Sequence, residues 1–115
     1  MSIFLVVALA VVVALPINAY ASWKKEGRWS KASFICDGIS VDIGVDMNSN
    51  IGISNFLPKR EAFLIYNNDT KYSSIWQVGA SMNSLKTLNG RYQLLLGKNL
   101  TLMSEGLPNK KCKIF

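Results

Sequence analysis

The chain has 115 residues, half of them hydrophobic, with thirteen basic and seven acidic side chains, a net charge of +6 and no histidine. Without histidine, Ser-His-Asp and Cys-His catalysis are excluded, and two cysteines alone leave too few soft ligands for a zinc site. That length sets a single domain at the small end for a self-sufficient hydrophobic core.

The stretch from Ile3 to Leu15 carries no charge and is too short to span a bilayer comfortably. Pro16 and the small-residue site Ala19-Tyr20-Ala21 follow it, so residues 1–21 read as a signal peptide cleaved after Ala21. No Lys or Arg precedes the apolar run, which leaves an uncleaved N-terminal anchor as the alternative. Export makes the protein periplasmic or secreted, and in such an oxidising compartment Cys36 and Cys112 should pair. Their loop of 76 sequence steps is worth roughly 4 to 5 kcal/mol in the chain-entropy account of a disulfide.

Residues 22–31 form a basic segment, Lys24, Lys25, Arg28 and Lys31 against Glu26, ahead of a single domain over residues 32–115. Lys110, Lys111 and Lys113 add a second basic run at the other end, and between them six bases balance six acids. Pairing Cys36 with Cys112 brings the two terminal runs to the same region, as a basic patch suited to phosphate or other anionic groups. The alternative use of these lysines is solubility and the blocking of edge-to-edge strand pairing.

Lys31 to Cys36 is the first expected strand. Ile39, Val41, Ile43, Val45 and Met47 then alternate with Ser40, Asp42, Gly44 and Asp46, the period of a strand with one wet face. Asn48-Ser49-Asn50 predicts a turn into a strand beginning at Ile51 to Ile53, which Pro58-Lys59-Arg60 is expected to end. Ala62 to Tyr66 and Tyr72 to Val78 flank the turn Asn67-Asn68-Asp69. Leu85 to Leu88 meets Arg91 to Leu96 across Asn89-Gly90, a two-residue hairpin signal because both residues tolerate positive φ. Gly97-Lys98-Asn99 turns the chain into Leu100 to Met103, and Lys111 to Phe115 is the last strand. About eight or nine strands with no helical period predict an all-β domain, a small antiparallel barrel or sandwich of about eight strands. A bridge between the first and last strands suits a closed barrel, and Trp23 or Trp29 would cap an open end.

Few motifs carry chemistry. Asp46-Met47-Asn48-Ser49-Asn50 imitates the start of a calcium loop, but Ile51 stands where the sharp turn needs Gly and Leu57 where a bidentate Glu is needed. Ser22-Trp23-Lys24-Lys25 has Ser-x-x-Lys spacing, but no rigid element would hold it. Asp42 and Asp46 share the outer face of one strand as solvated acids. Asn68-Asp69-Thr70 and Asn99-Leu100-Thr101 fit the glycosylation pattern and are read as ordinary turn composition. No enzyme activity, metal or cofactor is expected.

Ser33-Phe34-Ile35-Cys36-Asp37-Gly38, the alternating strand after it, a polar turn and a second cysteine close to the C-terminus resemble the periplasmic inhibitors of C-type lysozyme. The resemblance implies an exported β-barrel with bridged end strands and an inhibitory Ser/Gly-rich loop followed by a strand ending near a lysine. The nearest match is Gly79-Ala80-Ser81-Met82-Asn83-Ser84 followed by Arg91 to Lys98. Ser81 or Ser84 would then enter the lysozyme cleft and Lys98 would contact its acids.

The function expected from the residues themselves is a non-catalytic exported binding or envelope-associated domain. Its partner would be an anionic polymer, a lipid headgroup or a protein, through the terminal basic patch. Export sets nucleic acid aside, and lysozyme inhibition is the alternative.

Overall fold

The computed structural model of the protein describes residues 23–54 and 57–115; the expected signal peptide, residues 1–21, lies outside them. Ten strands succeed one another: β1 (Lys24–Glu26), β2 (Trp29–Cys36), β3 (Ile39–Asp46), β4 (Gly52–Ser54), β5 (Leu57–Tyr66), β6 (Thr70–Val78), β7 (Asn83–Thr87), β8 (Tyr92–Leu96), β9 (Leu100–Ser104) and β10 (Lys110–Ile114). Eight of them, all but β1 and β4, pair antiparallel in chain order, and β10 returns to β2 to close a barrel. Closure removes the free edges that an open meander would leave.

Alternation decides which side chains fill the interior. From β2 and β3 come Ala32, Phe34, Val41, Ile43 and Val45; Leu64, Trp76, Leu85, Leu94, Leu96 and Leu102 come from the later strands, all buried in one cluster. One end is covered by Tyr66, Tyr72 and Tyr92, with Tyr66 and Tyr92 stacked at 4.4 Å. At the other, Trp23 packs edge-on against Trp76 at 5.7 Å, the capping role expected of one N-terminal tryptophan.

Tight turns keep the meander in register. Asp37 and Gly38 both have positive φ (50° and 84°) and join Cys36 directly to its partner Ile39, the two-residue hairpin geometry. The Asn89-Gly90 connection is wider than its dipeptide suggests. Only Gly90 has positive φ, while Asn89 Oδ1 accepts hydrogen bonds from Thr87 Oγ1 at 2.8 Å and from the Arg91 backbone N–H at 3.0 Å. A side chain that satisfies the backbone locally holds residues 88–91 as a four-residue loop.

Two elements depart from expectation, and one residue from the phase of its strand. β1 forms within the segment expected to be only a basic lead-in, because Gly27, in positive φ, folds Lys24–Glu26 back on β2. Pro58-Lys59-Arg60 does not end a strand but lies inside β5. Pro58 faces only the short β4 and precedes the first residue paired with β6, so its missing N–H removes no barrel hydrogen bond. Phe63 has the outward phase of β5 and yet is only 6 % exposed. Gly44 stands directly opposite it on β3, and without a Cβ there the ring lies against the β3 backbone, edge-on to Trp29 at 5.1 Å and beneath the Lys71 ammonium at 4.4 Å.

Candidate functional site

The interior is occupied by side chains, so binding must use the outer wall. The terminal basic runs do meet at the seam. Along one edge of β2, β10 occupies the half opposite Phe34–Cys36 and β1 the half opposite Trp29–Lys31, with the Phe115 N–H bonded to the Ser33 carbonyl between them. Cys112 stands opposite Cys36 in this register and the two are disulfide-bonded, with Cα atoms 4.0 Å apart. Lys113 and Lys24 are thereby four residues apart along β2, about 13 Å.

Not every terminal base is free at that seam. Arg28 donates through Nε to Asp46 Oδ2 at 2.8 Å and approaches Glu61 at 3.5 Å, and Lys31 pairs with Glu26 at 3.1 Å. Lys25 opposes Ser30, on the opposite phase to Lys24, and Lys110 opposes Leu102, on the phase of the core. Lys24, Lys111 and Lys113 are exposed on the outer phase with the 77 % exposed Phe115, whereas Ile114 opposes Phe34 on the phase of the core. A groove of roughly 450 Å³ next to them carries Lys24 and Lys31 against Glu26 and Asp42, floored by Phe63 and Ile65. Two cations facing two carboxylates leave it electrically balanced.

The calcium-like segment is a self-contained turn. Asp46 is not the solvated acid expected: 1 % exposed beneath Arg28, it spends one oxygen on that guanidinium and the other on the Asn48 N–H at 3.0 Å; Ser49 Oγ donates to the Asp46 carbonyl at 2.8 Å and accepts from the Glu61 N–H at 2.7 Å. Arg60 grips the Met47 and Ser49 carbonyls at 2.7 and 2.8 Å. Among the described residues no group of three or more acids and cysteines could hold a metal.

The loop matched to lysozyme inhibitors is short. Val78 pairs with Asn83, which leaves Gly79 to Met82 as a tight connection, and Met82 and the Ser81 carbonyl close over Gly97. Ser81 therefore adjoins buried Gly97, next to the exposed Lys98, whereas Ser84 belongs to β7, opposite Gln77 on the wall.

One further groove is marked by no sequence motif. Lys59, Ile75, Gln77, Ser84, Lys86, Leu88 and Gln93 line about 290 Å³ across β5 to β8, with no acid among them. Its sequence signal was present as an absence: residues 70–104 contain no Asp or Glu at all.

The molecule is thus a solid, closed, eight-strand antiparallel barrel with one disulfide across its seam. No protein-family model matches the chain, and comparisons with curated proteins and with solved structures find no significant match.

Proposed function

We propose that the protein is a small exported, non-catalytic domain that binds anionic polymer or lipid headgroups of the cell envelope through its basic outer surface. The observation that carries this reading is the end-to-end seating of β1 and β10 on β2, which places exposed Lys24, Lys111 and Lys113 on one outer face with the exposed apolar Phe115. Lysines next to exposed apolar side chains suit an anionic interface, where charge attracts and the apolar groups add area. The disulfide is in keeping with an oxidising compartment. Binding to vesicles containing anionic lipid, or to a soluble anionic polymer, should fall steeply with salt and with Lys110, Lys111 and Lys113 changed to Ser. Absence of binding at low salt rejects this function.

A second reading, inhibition of C-type lysozyme, is favoured by the contact of the Ser81 turn with the Gly97-Lys98 turn, which supplies a hydroxyl and an ammonium on adjacent loops. Lysis of cells by purified lysozyme should then slow at micromolar protein and recover with Lys98→Ala. Unaffected lysis removes it.

A further inference from the structure

The net charge is divided between two walls of the barrel in a way the linear order hides. Residues 23–69, which build β1 to β5, hold Lys24, Lys25, Arg28, Lys31, Lys59 and Arg60 against Glu26, Asp37, Asp42, Asp46, Glu61 and Asp69, and cancel. Residues 70–115, which build β6 to β10, hold Lys71, Lys86, Arg91, Lys98, Lys110, Lys111 and Lys113 against Glu105 alone. The entire surplus of +6 therefore lies on the second, contiguous wall.

The outer groove lined by Lys24, Lys31, Glu26 and Asp42 is balanced, and a second, lined by Trp29, Phe63, Glu61 and Lys71, is balanced as well. The third is lined by Lys59 and Lys86 with no acid among its lining residues. Its register is well defined: Lys59, Gln77 and Ser84 form one transverse row, and Ile75, Lys86 and Gln93 the next. With strands about 4.8 Å apart and alternate residues about 7 Å apart, the two lysines stand roughly 12 Å from each other across the groove. Glu61, in the row of Ile75 and Lys86, is turned towards Arg28 instead.

We propose that this β5–β8 groove is the binding subsite for an anionic glycan, a carboxylated or phosphorylated sugar chain laid across the strands. The inference rests on the anionic-ligand function above and names its site and ligand class. Gln77, Gln93 and Ser84 line the groove and can both donate and accept hydrogen bonds, as sugar hydroxyls require. Lys59 and Lys86 supply two separated point charges for acidic groups along the chain, and Ile75 and Leu88 offer apolar contact for a ring face. No aromatic side chain lines the groove, so the base stacking that single-stranded nucleic acid uses is missing there. An acyl chain would find two apolar side chains in a setting of amides and ammonium groups.

The experiment is titration of the folded protein with hexagalacturonate, followed by backbone and Gln side-chain amide NMR. Maltohexaose, polyglutamate and anionic phosphatidylglycerol vesicles serve as comparison ligands. Hexagalacturonate should shift the Gln77 and Gln93 side-chain amides and the β6–β8 backbone at low salt. Lys59→Ser and Lys86→Ser, both on the wet face, should each weaken it about threefold, the scale of a solvent-exposed charge pair. Shifts confined to β1 and β10, with vesicles still bound, overturn this subsite while leaving the envelope-binding function intact. Equal groove shifts from polyglutamate overturn the glycan assignment. If neither hexagalacturonate nor vesicles bind, the subsite and the function fall together.

Discussion

Cys112 stands directly opposite Cys36 where β10 meets β2, and their bond clamps the most thinly paired strand of the barrel. β10 matches only Lys110 and Lys111 to β9 and only Cys112, Lys113 and Ile114 to β2. Replacing both cysteines by Ala should therefore lower stability to chemical denaturation by about 2 to 5 kcal/mol. The loss should begin at the seam, with β10 amides exchanging fastest. Unchanged exchange in β10 would show that packing alone holds the closure.

Arg28 neutralises a carboxylate that has almost no access to water. Asp46 is 1 % exposed, while the Arg28 side chain keeps 57 % of its surface, so solvent screens part of the attraction. Arg28→Ala leaves the buried charge uncompensated and should cost about 1 to 3 kcal/mol. Asp46→Asn should cost less, because its amide oxygen can still accept the Asn48 N–H and no charge is stranded. Equilibrium unfolding of both single variants and the double variant measures the difference; equal costs would contradict the stranded-charge account.

A methyl group at position 44 would overlap the Phe63 ring that lies over that glycine. Gly44→Ala should therefore destabilise the fold by about 1 to 3 kcal/mol, the usual range for overpacking. Phe63→Ala also removes contacts, but combining it with Gly44→Ala should cost less than the sum of the two. Additive losses in thermal or denaturant unfolding would mean that the ring does not depend on the missing Cβ.

Burial, followed by the neighbouring Tyr72 and Tyr66, raises the Tyr92 phenol above its ordinary pKa of 10.0. The folded state thus holds this proton more tightly than the unfolded chain, so the related stability is whole below about pH 10 and is lost as pH rises through the folded value. Ultraviolet titration should show one late-ionising tyrosine that disappears in Tyr92→Phe. The same variant should flatten the alkaline loss of stability.

Much of the fold was legible from local pattern. The alternation of Ile39 to Met47 needs only a wet face and a dry one, and turn residues such as Asn67-Asn68-Asp69 bend the chain by their own backbone preferences. Where side chains from elsewhere intervene, the local signal fell short. Asn89-Gly90 carries the dipeptide of a two-residue turn, yet Thr87 and Arg91 draw Asn89 into a wider loop. Phe63 has the outward phase of its strand, and only Gly44, nineteen positions earlier and brought alongside by strand pairing, explains its burial.

The amino-acid order by itself determined an all-β chain, the sites of most turns, the total charge and the one cysteine pair available to join, because these depend on neighbours, composition and counting. Closure and register decided the rest. They bring Asp46 and Glu61 to Arg28, so that this N-terminal base is matched by acids from the middle of the chain, and they leave Lys59 and Lys86 on one groove without an acid. Which charges cancel depends on distances set by strand pairing between residues far apart in sequence, and no local period encodes those distances.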